Sequence, residues 1–128
     1  MDDYEIVLCN KTERVCIFKL PPLSTSKGHY FDDWKEMLWE GGLRLVEKRK
    51  SLTLTFIDKN GKIFATTRLP PNPEEAIVKT VDSSRGYAVR LEKPNNGGFL
   101  WVGVVFRDRN DAFDFGVAFR DYNEKNSL

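Results

Sequence analysis

Short runs of β-branched and aromatic residues recur along this chain, and turn-forming residues bound each run. The clearest run is SLTLTFID at 51 to 58, where leucine and phenylalanine alternate with serine and threonine. Such alternation indicates a strand with one buried face and one wet face. Asn60-Gly61 follows and suits a tight turn, so KIFATTRL at 62 to 69 is predicted to fold back antiparallel. The pattern therefore favours an antiparallel β architecture.

The same criteria predict seven or eight antiparallel strands along the chain. Lys11, Thr12 and Glu13 are predicted to turn the first two strands into a hairpin, and the last strand is apolar on both faces. The predicted strands are 4 to 10, 14 to 20, 43 to 50, 51 to 58, 62 to 69, 76 to 81, 87 to 93 and 99 to 106.

Residues 23 to 42 lose this periodicity and are predicted to form a long connection with one helical turn around Phe31 to Lys35. Aromatic residues are enriched in cores, so those of the connection are predicted to cap an open barrel edge rather than to bind a ligand. They are Tyr30, Phe31, Trp34 and Trp39.

A single helix is predicted at the end of the chain, with Asn110 as its N-cap and Asp111 placed favourably for the helix dipole. Gly116 in its middle predicts a close backbone contact with the β-structure. Its core-facing residues recur at helical spacing: Ala112, Phe115, Phe119 and Tyr122, with Phe113 and Val117 widening the stripe. Strands followed by one helix predict an α+β domain, a barrel or orthogonal sandwich whose open end the helix plugs.

Length and charge narrow the class of protein further. With 128 residues, 41% of them hydrophobic, the chain is expected to form one domain over residues 1 to 128, with a frayed tail at 123 to 128. The net charge is +1, so the chain lacks the long-range electrostatic attraction that a strongly basic chain has for nucleic acid or anionic membranes.

No apolar run approaches the roughly 20 residues that span a bilayer, and MDDYE is unlike a signal peptide, so a cytoplasmic location is expected. Cys9 and Cys16 are expected to be reduced, buried thiols.

Few residues offer catalytic chemistry. His29 is the only histidine, and no cysteine has a histidine at metal-ligand spacing. The sequence also contains neither a glycine-rich phosphate loop nor a nucleophile elbow. We therefore expect no enzyme: no catalytic residue, no metal and no cofactor.

Two polar loops are more informative, namely residues 82 to 86 and residues 107 to 111. If they converge, their arginines, serine hydroxyls and the helix N-terminus would form a local trap for phosphate or carboxylate. In the alternative, Asp82 and Asp108 merely cap turns and pair with Arg85 and Arg109.

Several segments together resemble the N-terminal PHear domain of the NECAP family, the adaptin ear-binding coat-associated proteins. The resemblance runs from about Tyr4 to Tyr122 and rests on VLCN, FKLPP, Asp33-Trp34-Lys35, TVDSSRGYAVRL and FRDRNDAFDFGVAFRDY. It implies a pleckstrin-homology-like antiparallel β-barrel or sandwich of about seven strands capped by one C-terminal α-helix.

The resemblance also implies a non-enzymatic accessory factor of clathrin-mediated endocytosis. Its expected partners are the plasma-membrane clathrin adaptor complex, including the phosphorylated form, and FxDxF-type peptides of accessory proteins. The protein is expected to be a monomer that is cytoplasmic and peripheral to clathrin-coated vesicles and the plasma membrane. It is expected to reach the membrane only through the coat and to bind no nucleic acid. The chain contains no WxxF ear-binding motif. The expected partner-binding residues are Ser83, Ser84, Arg85, Arg107, Arg109, Asp111 and Phe113.

Two other functions remain open from the sequence. A phosphoinositide-binding pleckstrin-homology domain would use basic residues of the first hairpin, here Lys11 and Arg14. A passive scaffold domain would tolerate Arg109→Glu without loss of adaptor binding. The two-sided apolar strand at 99 to 106 either lies under the terminal helix or leaves a shallow groove beside it that accepts phenylalanines.

Overall fold

The structure is a computed structural model that describes residues 5–20, 34–48, 51–80, 82–92 and 98–126. These residues form one seven-stranded antiparallel sheet, curved into an open sandwich, and a C-terminal helix. The predicted fold class is confirmed. The strands are β1 (Ile6–Lys19), β2 (Met37–Lys48), β3 (Ser51–Ile57), β4 (Ile63–Arg68), β5 (Ile77–Lys79), β6 (Gly86–Glu92) and β7 (Phe99–Phe106), and the helix is α1 (Arg109–Asn126). None of the described helices has the length and apolar character that crossing a membrane requires.

The first predicted hairpin is wrong, because residues 6 to 19 form one bent strand. β1 pairs with β2 along its length, and only its second half, Val15 to Lys19, also pairs with β7. The polar residues between the halves form an irregularity in which the register shifts between Lys11 and Val15, and Arg14 has a φ of 68°. A bulge bends its strand and increases the local twist. Here the bend lets β1 serve both halves of the sandwich in the order β4-β3-β2-β1-β7-β6-β5.

The connection before β2 is shorter than predicted, since β2 begins at Met37. Residues 34 to 36 have no regular structure, and the rest of the predicted helical turn lies outside the described residues, as do Tyr30 and Phe31. Trp39 closes one end of the core as expected: its ring meets Phe56 edge-on at 6.2 Å and stacks on Phe64 at 4.8 Å.

The hairpin between β3 and β4 is confirmed. Gly61 has a φ of 84° and donates its N–H to the Asp58 carbonyl at 2.9 Å. Asp58 Oδ1 accepts the N–H groups of Asn60 and Lys62 at 2.8 and 2.9 Å. The alternation of β3 is also as predicted: Leu52, Leu54 and Phe56 are buried and the intervening residues are not.

Two side chains, Glu92 and Thr67, join β4 to β6 across the open side of the sandwich. Glu92 Oε1 accepts the Arg68 N–H at 2.8 Å, and the Glu92 N–H donates to the buried Thr67 hydroxyl at 3.0 Å. These bonds satisfy strand-edge groups that no ladder pairs at this point.

α1 supplies the phenylalanines that fill the core. The predicted core stripe of α1 is buried, and the Tyr87 hydroxyl donates to the Ala112 carbonyl at 3.2 Å. Gly116 is needed where predicted, since a Cβ there would lie 2.7 Å from the Tyr87 hydroxyl oxygen. Phe113 does not widen this stripe, because its side chain is 64% exposed.

The N-terminal end of α1 differs from prediction. Asp108 is the N-cap instead of Asn110: its Oδ1 accepts the Asn110 N–H at 2.7 Å, and its carbonyl accepts the Ala112 N–H. The helix continues to Asn126, and the last two residues lie outside the described ranges.

A second apolar cluster covers the outer face of β1 and β7. Trp34, Cys16 and Val105 are buried together there, with Phe18 and Leu20 packed against them. Cys9 belongs to the main core, and both cysteines are free and buried, as predicted.

Candidate functional site

The two polar loops lie side by side. The Phe106 N–H donates to the Arg85 carbonyl at 3.0 Å, and Arg85 Nη1 donates to the Arg107 carbonyl at 3.3 Å. The pairing of β6 with β7 causes this proximity, since Gly86 lies opposite Val105. The turn before β6 and the entry of α1 are therefore neighbours. We call Ser83, Ser84, Arg85, Arg107 and Arg109 the arginine corner.

Internal hydrogen bonds hold the serine turn in shape. The Thr80 hydroxyl lies 2.8 Å from the Ser83 carbonyl and 3.2 Å from that of Gly86. The Ser83 hydroxyl accepts the Arg85 N–H at 3.1 Å, whereas Ser84 is exposed. The turn is thus ordered by its own groups, and Ser84 presents its hydroxyl to solvent.

At the entry of α1, Arg107 and Arg109 are exposed. Arg107 Nε lies 2.8 Å from Glu40 Oε2 in an ion pair whose side chains are 55% and 40% exposed. Its pKa is raised by the adjacent Cys16 and, after that, by Glu40, so its positive charge is secure. Because exposed ion pairs contribute little free energy, a stronger anion can compete with Glu40 for this guanidinium.

Asp111 and Phe113 do not belong to the corner. Lys11 Nζ lies 3.3 Å from Asp111 Oδ1 and 2.8 Å from Asp114 Oδ2, so Asp111 is turned towards β1. The hydrogen bond to Asp114 is the main cause that raises the pKa of Lys11. The structure thus brings five of the seven predicted residues to one corner and separates the other two from it.

Arg14 was not among the predicted site residues, although it adjoins the corner. Its carbonyl accepts the Arg107 N–H at 3.0 Å, and its side chain is 58% exposed. The sequence placed Arg14 in a hairpin, where it had no reason to approach residue 107. Lys11 and Arg14 also do not form the basic pair that phosphoinositide binding would use, because Lys11 is paired with two carboxylates of α1.

A groove of about 550 Å³ lies between α1 and the first half of β1. We call it the α1/β1 groove. Among its lining residues are Leu8, Lys11, Phe113, Asp114, Val117 and Ala118. Its apolar side chains come from both elements, with the exposed Phe113 at its border.

Cys9 also lines this groove, and burial raises the pKa of its thiol from 9.0 to about 11. Because the folded-state pKa lies above the unfolded value, the protonated thiol stabilises the fold below pH 9.0, and this contribution is lost as the pH rises through 11. We expect Cys9 to react slowly with iodoacetamide near neutral pH and rapidly after unfolding. Mass spectrometry of a Cys16→Ser variant over time measures this, and equal rates in the folded and unfolded chain would contradict it.

The described residues contain no cluster of three or more His, Cys, Asp or Glu side chains that could hold a metal ion. The exposed groups at the corner are guanidinium and hydroxyl donors, which bind anions.

Solved structures with a similar fold include Ran-binding domains. The Ran-binding domain of the nuclear complex component Nup2 from Ashbya gossypii has a TM-score of 0.61 at 15% identity, covering 94% of this chain and 96% of that one. A second structure of that domain has a TM-score of 0.64 at 12% identity, covering 93% and 97%. At this identity the similarity establishes the pleckstrin-homology-like fold.

Relatives in sequence are more informative. The family model described as "Protein of unknown function (DUF1681)" matches residues 4–128. The chain is 37% identical over 123 residues to adaptin ear-binding coat-associated protein 2 of Rattus norvegicus. It is 35% identical over 123 residues to adaptin ear-binding coat-associated protein 1 of Homo sapiens. The alignments cover 94% of this chain but 46% and 44% of those proteins, so the chain spans less than half of their length. The chain therefore belongs to the DUF1681 family, the NECAP family of adaptin ear-binding coat-associated proteins, as its PHear domain.

Proposed function

We propose that this domain is a non-enzymatic interaction module of a clathrin-coat accessory protein in endocytosis. Its partner is the plasma-membrane clathrin adaptor complex, including the phosphorylated form. The relatives are named for adaptin-ear binding and coat association, which supports this assignment. The protein acts as a monomer in the cytoplasm, peripheral to coated vesicles and to the plasma membrane.

The observation that carries the proposal is the arginine corner. Arg85 Nη1 donates to the Arg107 carbonyl at 3.3 Å, and the exposed residues Ser84, Arg107 and Arg109 lie in the turn before β6 and at the entry of α1. Arginine forks recognise phosphate and carboxylate through paired hydrogen bonds. Since the net charge of the chain is +1, binding of an anion depends on this local cluster rather than on a long-range field. The corner thus takes an acidic or phosphorylated segment of the adaptor.

Titration with a phosphorylated peptide from the adaptor linker tests this directly. We expect NMR shifts centred on residues 83 to 85 and 107 to 110, and weaker binding of the unphosphorylated peptide. Binding should also weaken as salt is added, because the pairs are exposed. Equal affinity for both peptides would exclude a phosphate site at the corner.

Arg109→Glu is expected to weaken binding of the phosphorylated peptide by roughly tenfold or more. A hydrogen bond to a charged group contributes about 1.5 to 3 kcal/mol, and the new carboxylate also repels the phosphate. Lys125→Glu is the matched control: it makes the same charge change on α1, about 24 Å away at 1.5 Å per residue. Fluorescence anisotropy gives both affinities. Similar losses in the two variants would indicate a general charge effect and would favour a passive scaffold.

We further propose that the domain binds FxDxF-type peptides at Phe113, which lies outside the arginine corner and borders the α1/β1 groove. Phe113 is 64% exposed, and it follows Arg109 by about one turn of α1. An exposed aromatic side chain about one helical turn from an arginine suits a peptide that carries both phenylalanine and aspartate. Phe113→Ser should lower the affinity for an FxDxF peptide and leave the affinity for the phosphorylated peptide unchanged. Loss of both ligands would indicate instead that α1 has been perturbed.

A further inference from the structure

The first half of β1 has a partner strand on one side only. Residues Ile6 to Lys11 pair with β2, whereas pairing with β7 begins at Val15. In the described ranges, no strand pairs with this half on the side away from β2. Backbone groups along an unpaired strand edge are a template for a further strand.

This half-strand forms one wall of the α1/β1 groove, and α1 forms the other. The volume of about 550 Å³ lies within the range of natural ligand sites. Leu8, Val117 and Ala118 contribute half-buried apolar surface to it. A strand edge beside an apolar helix face fits an extended peptide. The peptide backbone forms hydrogen bonds with the strand edge, and alternate side chains enter the groove.

The charges of the groove differ in sign from those of the arginine corner. Lys11 is already matched by Asp111 and Asp114. The remaining ionisable groups that line the groove are two carboxylates, Glu47 and Asp121, and one ammonium group, Lys125. The groove is therefore acidic, and it disfavours binding of an acidic peptide of the kind proposed for the arginine corner.

We propose that the α1/β1 groove is a second peptide-binding site. Its ligand is an extended segment of a partner protein that adds a strand to the first half of β1. Apolar side chains of the segment contact Leu8, Val117 and Ala118, and intervening Lys or Arg side chains meet Glu47 and Asp121. This site is separate from the arginine corner, so the proposal for the corner and the proposal for the groove can fail independently. It shares only its border residue Phe113 with the proposed FxDxF site.

Two model peptides test the proposal on the whole chain: acetyl-VKVKV-amide and its acidic counterpart acetyl-VEVEV-amide. The basic peptide should move the NMR signals of residues 6 to 11 and of the α1 residues in the groove. Hydrogen exchange at residues 6 to 11 should slow, because edge amides gain partners. The acidic peptide should bind several-fold more weakly.

Asp121→Lys removes one carboxylate from the groove. It should lower the affinity for the basic peptide by about threefold to fivefold, which is the contribution of one exposed ion pair. Glu124→Lys is the matched control on the same helix, because Glu124 is exposed and does not line the groove. Ala118→Phe should block binding by filling the groove. If circular dichroism shows that Ala118→Phe is unfolded, Asp121→Lys alone decides.

Three results with the peptides would overturn the proposal. They are equal affinity for the two peptides, shifts confined to the arginine corner, and no shift with either peptide at millimolar concentration. Self-association through the groove, without peptide binding, would also overturn it and would assign the strand edge to a second copy of the chain.

Discussion

Phe115→Ala is expected to lower the free energy of unfolding by about 3 to 5 kcal/mol, the usual cost of deleting a buried ring. Phe115 is 0% exposed, and its ring lies 5.3 Å from Tyr87, 5.3 Å from Phe106 and 5.4 Å from Phe119. The substitution therefore leaves a cavity among rings from three elements, and the strands are too tightly paired to collapse into it. Urea unfolding monitored by tryptophan fluorescence measures the loss.

Phe113→Ala is the matched control, because it deletes the same ring two residues earlier on α1. The Phe113 side chain is 64% exposed, so stability should change by no more than about 0.5 kcal/mol. Comparable losses in the two variants would mean that α1 is not seated on the core as described.

Trp34→Ala is expected to cost about 3 kcal/mol or more, because it uncovers the second apolar cluster. Trp34 is 5% exposed and packs with Cys16 and Val105 on the outer face of the sheet. Its ring lies over Gly103, where an added Cβ would come within 2.7 Å of Trp34 Cε3. Any side chain at residue 103 therefore displaces the ring.

A double-mutant cycle separates this contact from other effects. Gly103→Ala alone should cost about 1 to 3 kcal/mol through overpacking. In the Trp34→Ala background its cost should fall below about 0.5 kcal/mol, since the clashing ring is gone. Urea unfolding of the four proteins measures the coupling. Additive losses would show that Trp34 does not lie against Gly103.

The two proposed sites give the molecule surfaces of opposite charge. Arg85, Arg107 and Arg109 form one, and Glu47 and Asp121 belong to the other. Because a nearly neutral chain has little long-range field, each surface selects its ligand at short range. A partner with separate acidic and basic segments would therefore bind in one orientation.

Part of the candidate site was predictable from the sequence. The residue types of the corner indicated anion binding, since arginine and serine beside a helix start supply suitable donors. That Asp111 faces Lys11, and that Arg14 adjoins Arg107, was not predictable. Both depend on the bend of β1, which brings residues from distant parts of the chain together.

The local elements that could be predicted are those whose cause lies within a few residues along the chain. The alternation of β3, the Asn60-Gly61 turn and the spacing of Phe115 and Phe119 each depend on neighbours along the chain. That residues 6 to 19 form one strand depends on long-range pairing, because the bulge in β1 is stabilised by simultaneous pairing with β2 and β7. The N-cap of α1 also depends on the tertiary structure. β7 ends at Phe106, and this end sets where the first helical turn can begin, so Asp108 becomes the cap. Long-range pairing settles such choices, and a polar run such as Lys11 to Arg14 fits a turn or a bulge equally well until partner strands are present.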